Sequence, residues 1–243
     1  MANAEQKRQG DGGRFVGTTW QDLLDLETVT VPEYLRVQSN PYMGDEDLSV
    51  DRYVSPEFFK EEKEKLWPKT WQMACREEDI PESGDHFVYW IIDRSVIVTR
   101  TPSGEIKGFI NSCRHRGRCL RDESGSVDKF RCPFHGATWD LDGQFKGIPN
   151  DWDFEHIADR DMSLPQVKVA TWGGFVFINF DLDCQPLEDY LDVLPQHFDR
   201  FPLEKYFKAV HVQRVMNCNW KVGAEAFMES WHTVETHKQI LTF

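Results

Sequence analysis

Apolar and polar positions change rhythm several times along the chain. From Trp71 to Ser112 they fall into short β-rich runs, WQMACREEDI, HFVYWIID, SVIVTRT and IKGFINS. The stretches between them, PESGD, DRS and TPSGE, each carry a turn signal, so the pattern predicts a meander of antiparallel strands. WGGFVFINF at 172–180 reads as a further strand, and KAVHVQRVM at 208–216 alternates as a strand does. Helical signals lie outside this region. Ser55-Pro56-Glu57 opens EFFKEEKEKLW with a Ser N-cap, Pro at N1 and acids in the first turn, and Pro68 ends the run. Residues 19–36 can hold a short helix, and 186–201 is helical in parts and broken by Pro195. Asn219 is an N-cap for a helix from Trp220 toward His232. Residues 113–147 are loop-rich, with Gly117, Gly125, Gly136, Gly143 and Gly147, and NPYMGDEDL (40–48) is also loop. Residues 1–17 are polar and read as a tail, or an arm that orders on a partner.

Composition narrows the classes. A chain of 243 residues with 40% hydrophobic and 28% charged residues is a folded protein of one or two domains. The 9 Trp and 17 Phe point to an aromatic core. No apolar run is long enough to span a membrane, and the N-terminus has no secretory h-region, so no membrane association is expected. The 6 Cys are too few for a disulfide scaffold, which makes a reducing, cytoplasmic location the expectation. The net charge of −13 argues against nucleic-acid binding, which needs a positive footprint.

The chemistry concentrates in two places. Cys113-Arg114-His115 is followed, sixteen residues on, by Cys132-Pro133-Phe134-His135. Each loop offers one thiolate and one imidazole beside turn-formers (Gly117, Pro133, Gly136), so both can fold back toward one point. Such a set can hold one tetrahedral zinc, or a [2Fe–2S] cluster with the cysteines on one iron and the histidines on the other. Zinc fingers usually group the two Cys and then the two His; here each loop mixes the types, which favours the cluster. Arg114, Arg116, Arg118 and Arg121 crowd the first loop. They either tune the centre by favouring its reduced state, serve docking, or are ion-paired. Cys119 reads as a small buried residue, and Cys75, Cys184 and Cys218 carry no assigned chemistry.

In the second place, Glu225, Glu229 and His232 would share one face of a regular helix. His237, five residues beyond His232, falls off that face, so a shared metal needs a π-turn or a helix end between them.

CRHRG…CPFHG resembles the Rieske domain of ring-hydroxylating oxygenase large (alpha) subunits, and NWK-x3-E-x-F-x-E-x-W-H-x4-H resembles their mononuclear iron segment. The resemblance runs from about residue 50 to the end. It implies an α+β fold: an antiparallel β Rieske [2Fe-2S] domain, then the start of a helix-grip-like catalytic domain, truncated here. The implied division is an N-terminal arm (1–50), the Rieske domain with its preceding helix (51–182), and the beginning of the mononuclear iron domain (183–243). It also implies that Cys113, His115, Cys132 and His135 hold the cluster and that His232 and His237 hold Fe(II). Glu229 would bridge toward a Rieske histidine of a neighbouring subunit.

The resemblance further implies an oxygenase component that takes electrons from NAD(P)H through a reductase, sometimes via a ferredoxin. It would activate O2 to hydroxylate an aromatic or other organic substrate, in a homotrimer or larger assembly. The family's third iron ligand, a carboxylate, would lie beyond Phe243, so these residues alone are expected to be inactive in hydroxylation. The chain departs from the family pattern at four positions. Ala137 stands where Trp is frequent, with Trp139 two later able to cover the cluster in its place. Glu229 stands for Asp, Ala226 for Asn and Trp231 for Tyr. Two other readings are kept: a Rieske-type electron-transfer module without oxygenase activity, and a zinc-stabilised interaction domain.

Overall fold

A computed structural model describes residues 20–36, 46–157 and 159–240. The predicted tail at 1–17 lies outside them. The chain divides into two compact units, Met1–Val50 and Asp51–Phe243. In the first, helices α1 (Trp20–Asp25) and α2 (Glu33–Arg36) are tied by an Arg36–Asp25 ion pair of 2.7 Å.

The second unit is built on antiparallel strands. The predicted meander forms β1 (Gln72–Arg76), β2 (Asp85–Ile91), β3 (Arg94–Arg100) and β4 (Ile106–Ile110). Three short strands carry the loop-rich region: β5 (Gly125–Ser126), β6 (Phe130–Arg131) and β7 (Thr138–Trp139). β8 (Phe145–Gly147), β9 (Gln166–Trp172) and β10 (Phe175–Asn179) complete the set. One seven-stranded sheet runs β1-β10-β9-β4-β3-β2-β5, and a three-stranded sheet runs β6-β7-β8. All pairs are antiparallel, with Val88 opposite Ile97 and Ile97 opposite Phe109. This is the α+β, antiparallel framework that the resemblance implied.

β3 explains its own sequence. Val96 and Val98 enter one core with Ile80, Val176 and Ile178, while Ile97 on the opposite face enters another with Phe109, Phe130 and Trp139. A strand buried on both faces needs a continuous β-branched run, and SVIVT supplies it. The second of these cores also contains Cys113 and Cys132. A third core packs Trp71 with Leu187 and Leu191 of the helix Leu187–Leu191.

Ser55 caps the helix at Pro56–Glu61 as predicted, its hydroxyl accepting the Phe58 N–H at 3.2 Å. That helix continues in π geometry over Glu62–Leu66. Asn219 likewise caps a helix at Trp220–Glu225, accepting the Lys221 N–H at 3.0 Å. The two helices are joined by a buried ion pair, Lys221 Nζ to Glu62 Oε1 at 2.7 Å.

Three expectations are corrected. Residues 208–216 form no strand, and Val210, Val212 and Val215 stand exposed. Alternation marks a segment able to pair, but none of the described strands pairs with it. The helix from Trp220 does not reach His232. It ends at Glu225, and a separate turn of helix covers Thr233–Thr236. Within 186–201 the break comes at Asp192, whose φ is +49°, and Pro195 sits at the start of the next helix, Leu194–His197. Proline lacks only an N–H that the first helical turn leaves unused, so it opens that helix instead of breaking it.

Candidate metal centre

The two mixed loops fold alike. In the first, the Cys113 N–H donates to the Arg118 carbonyl (2.8 Å) and the Gly117 N–H donates back to the Cys113 carbonyl (3.0 Å). In the second, Cys132 N–H to Ala137 O (2.8 Å) and Gly136 N–H to Cys132 O (3.0 Å) repeat the pattern. Each closing glycine has positive φ, 75° at Gly117 and 77° at Gly136, where a side chain would be strained. The loops grow from the sheets: the first follows β4, and the second joins β6 to β7.

The cysteines are buried, at 5% (Cys113) and 3% (Cys132) exposure, whereas His115 and His135 are exposed. The two imidazoles meet with their Nδ1 atoms 3.2 Å apart. Two nitrogens about 2.1 Å from one tetrahedral metal stand roughly 3.4 Å apart, so this pair is spaced to share one ion. Burial pushes the Cys113 thiol up, main-chain N–H groups of His115 and Arg116 pull it down, and the adjacent Cys132 thiol pushes it up again. Among the described residues no three His, Cys, Asp or Glu side chains converge on one ion position. Thiol is paired with thiol and imidazole with imidazole, two donors of each kind.

The surrounding side chains have distinct roles. Phe134 stacks on His135 (3.8 Å between centroids, 29° between planes), and the Arg116 guanidinium lies 5.7 Å from the Phe134 ring. Arg118 is ion-paired with Asp122 at 2.9 Å. Arg121 turns toward the sheet and donates through Nε to His86 Nε2 at 3.0 Å. Trp139 is fully buried in the core that contains both cysteines, with Nε1–H donating to Met162 O at 2.7 Å. It therefore lies on the cysteine side and does not cover the exposed histidines; as a β7 residue its ring faces the core between the sheets. Sequence reasoning passed over His86 and Asn111. The period-two burial of β2, which puts His86 on the same buried face as Val88, was the available signal.

In the second constellation, His232 and His237 flank the single helical turn Thr233–Thr236 at its two ends. Their rings are 5.3 Å apart, inclined at 71°. The break predicted as one of two ways to bring them together is thus a helix end. Glu229 accepts the His232 main-chain N–H at 3.1 Å and also makes a short bond to His232 Nδ1. These bonds hold the Glu229 carboxyl below the usual carboxylate range. The helix has ended at Glu225 before this point, and the bonds lie in the stretch between it and the turn Thr233–Thr236. Glu225 does not join them; it accepts the Tyr53 hydroxyl at 3.0 Å. Glu235 is an exposed acid paired with Lys238 at 3.5 Å.

Residues 70–158 match the Rieske [2Fe-2S] domain family. The chain carries a Rieske domain, and the group such a domain holds is a [2Fe–2S] cluster. Beyond the domain, the chain is similar to a biphenyl dioxygenase subunit alpha of Paraburkholderia xenovorans, 30% identical over 97% of this chain and 51% of the relative. It is 28% identical to a chloroplastic choline monooxygenase of Beta vulgaris, over 76% of this chain and 43% of the relative. Among solved structures, a quaternary ammonium Rieske monooxygenase with L-carnitine superposes with a TM-score of 0.74 and 26% identity, covering 79% of this chain and 55% of that one. A Rhodococcus naphthalene 1,2-dioxygenase superposes with a TM-score of 0.69 and 32% identity, covering 79% and 47%. The chain is a relative of the alpha subunits of Rieske non-haem iron oxygenases, as its motifs implied. It spans about half the length of the curated relatives it matches. Among the described residues no helix is long and apolar enough to cross a membrane.

Proposed function

We propose that the chain belongs to the terminal oxygenase component of a Rieske non-haem iron oxygenase. In this reading residues 51–182 hold the cluster, residues 183–243 begin the mononuclear iron domain, and residues 1–50 form an arm. Cys113, His115, Cys132 and His135 are the cluster ligands, and His232 and His237 are iron ligands. Bound there, the cluster carries single electrons, and a ferrous ion on two histidines and a carboxylate keeps open positions for O2. Electrons would come from NAD(P)H through a reductase, with or without a ferredoxin, in a cytoplasmic homotrimer or larger assembly. The six cysteines, none in a disulfide, support a reducing compartment. The substrate would be an aromatic or other small organic molecule.

The chain's own groups divide the work. Cys113 and Cys132 present their sulfurs from the buried core and would hold one iron as thiolates. His115 and His135 point Nδ1 at each other, and these two nitrogens would hold the second iron. Glu229 takes the Nδ1–H of His232, fixes that ring's tautomer and leaves Nε2 as the ligating atom.

The pairing of two exposed imidazoles, on the same two loops whose buried thiols also pair, is the observation that carries this reading. Iron analysis with EPR of the anaerobically reduced chain tests it. A Rieske signal with three irons per chain supports the oxygenase component. Two irons with the same signal support the alternative, an electron-transfer module. A colourless protein holding only zinc refutes both.

A further inference from the structure

We propose that His86 is a positioning residue for the metal centre: one buried imidazole fixes the Arg121 guanidinium on the first ligand-bearing loop and braces the strand that leads into the second. The inference rests on the cluster reading above.

His86 lies in β2 at 1% exposure and belongs to neither loop. Its Nε2 accepts the Arg121 Nε–H at 3.0 Å. Arg121 stands three residues after Arg118, whose carbonyl closes the first loop. The same ring packs edge-on against Phe130, at 5.8 Å and 89°. Phe130 belongs to β6 and is two residues before Cys132, so the ring also braces the strand that leads into the second loop.

Asn111 immobilises the Arg121 backbone. Its Oδ1 accepts the N–H groups of Leu120 (2.9 Å) and Arg121 (3.0 Å), and its Nδ2 donates to the Arg121 carbonyl at 2.6 Å. Arg121 is thus held at both main chain and side chain.

The chemistry of the pair is one-sided. A guanidinium only donates, so Nε2 must be unprotonated and the ring proton must sit on Nδ1, which faces the Gly84 carbonyl at 3.4 Å. A protonated ring would oppose two cations across a hydrogen bond. Burial, with the Arg121 charge, holds His86 below the ordinary histidine range, against the pull of the Gly84 and Glu123 carbonyls and the Asp85 carboxylate. The result is a permanent positive charge locked onto the first loop. Such a charge favours the reduced, more negative state of the centre.

The test uses the full chain with its cluster. His86→Phe keeps a ring against Phe130 but offers no acceptor; His86→Gln restores an acceptor; Arg121→Gln removes the charge at a partly exposed position. Midpoint potential and reduced-state EPR are measured for each. The metal-free native chain is examined by 15N NMR for the Nδ1–H tautomer. A lower potential with altered g-values in His86→Phe, recovery in His86→Gln, and a fall in Arg121→Gln at least as large support the proposal. Unchanged potentials, a His86→Gln variant no better than His86→Phe, or an Nε2–H tautomer overturn it. If His86→Phe does not fold, Arg121→Gln decides alone, and an unchanged potential refutes. Absence of a Rieske signal in the native chain refutes the cluster reading, and this inference with it.

Discussion

The Lys221–Glu62 pair gives a sharp stability test. Both side chains are almost wholly buried, at 5% and 7% exposure, and 2.7 Å apart. The ammonium also lies 5.2 Å from the Phe58 ring and 5.2 Å from the Trp220 ring. Glu62 Oε2 is buried without a hydrogen-bond partner among the described residues. Removing one member leaves an uncompensated buried charge, a loss of about 3–5 kcal/mol. Glu62→Ala and Lys221→Met should each fall in that range. Replacing both, as Glu62→Leu with Lys221→Met, removes the charge problem and the orphaned oxygen together. The double variant should therefore lie within about 1 kcal/mol of the parent or above it. Urea unfolding followed by tryptophan fluorescence reads the change, since Trp67 and Trp220 pack edge to face at 5.0 Å beside the pair. Hydrogen exchange localises it. A loss of about 3 kcal/mol speeds exchange of the Trp220–Glu225 amides roughly 100-fold where they open with this contact. Single variants that cost under 1 kcal/mol, or a double variant equal to the sum of the singles, would refute the reasoning.

Other outcomes follow from the same geometry. Cys113→Ser or Cys132→Ser should abolish the Rieske EPR signal, because each removes one of the two donors to an iron. His232→Ala should lower iron from three to two per chain and leave that signal intact; loss of the signal as well would show that the two centres are not separate. Burial pushes the Cys75 thiol from its ordinary 9.0 to about 12, so iodoacetamide at pH 8 should label exposed Cys218 and spare Cys75 until the chain unfolds. Because the folded state holds that proton more tightly, the stabilisation is complete below pH 9.0 and is lost as pH rises toward about 12. Trp139→Ala should cost about 3–5 kcal/mol, read as a lower denaturation midpoint.

The framework and the two candidate ligand-bearing loops were largely legible in the sequence because both are local. The β-meander declares itself by alternation and turn residues, and each loop carries its thiol, imidazole and closing glycine within five residues. What the sequence concealed depends on distant partners. The 208–216 segment has a strand's pattern, but pairing is a property of two segments and no described strand pairs with it. Glu225 looks like a companion of Glu229 by helical spacing, yet Tyr53, 172 residues away in sequence, takes its carboxylate. His86 was overlooked because a single histidine in a strand declares a partner only when the fold delivers one.

The double burial of β3 has a mechanical consequence. Ile97 supports the core beneath the two cysteines, and its neighbours Val96 and Val98 support the core on the far side of the same backbone. Neither half can loosen while the other stays rigid, so the β-rich part of the chain should melt as one cooperative block. Occupancy of the metal-bearing loops then becomes visible at a distance: loading them should raise the melting temperature of residues that never approach them, by mass action through a shared strand.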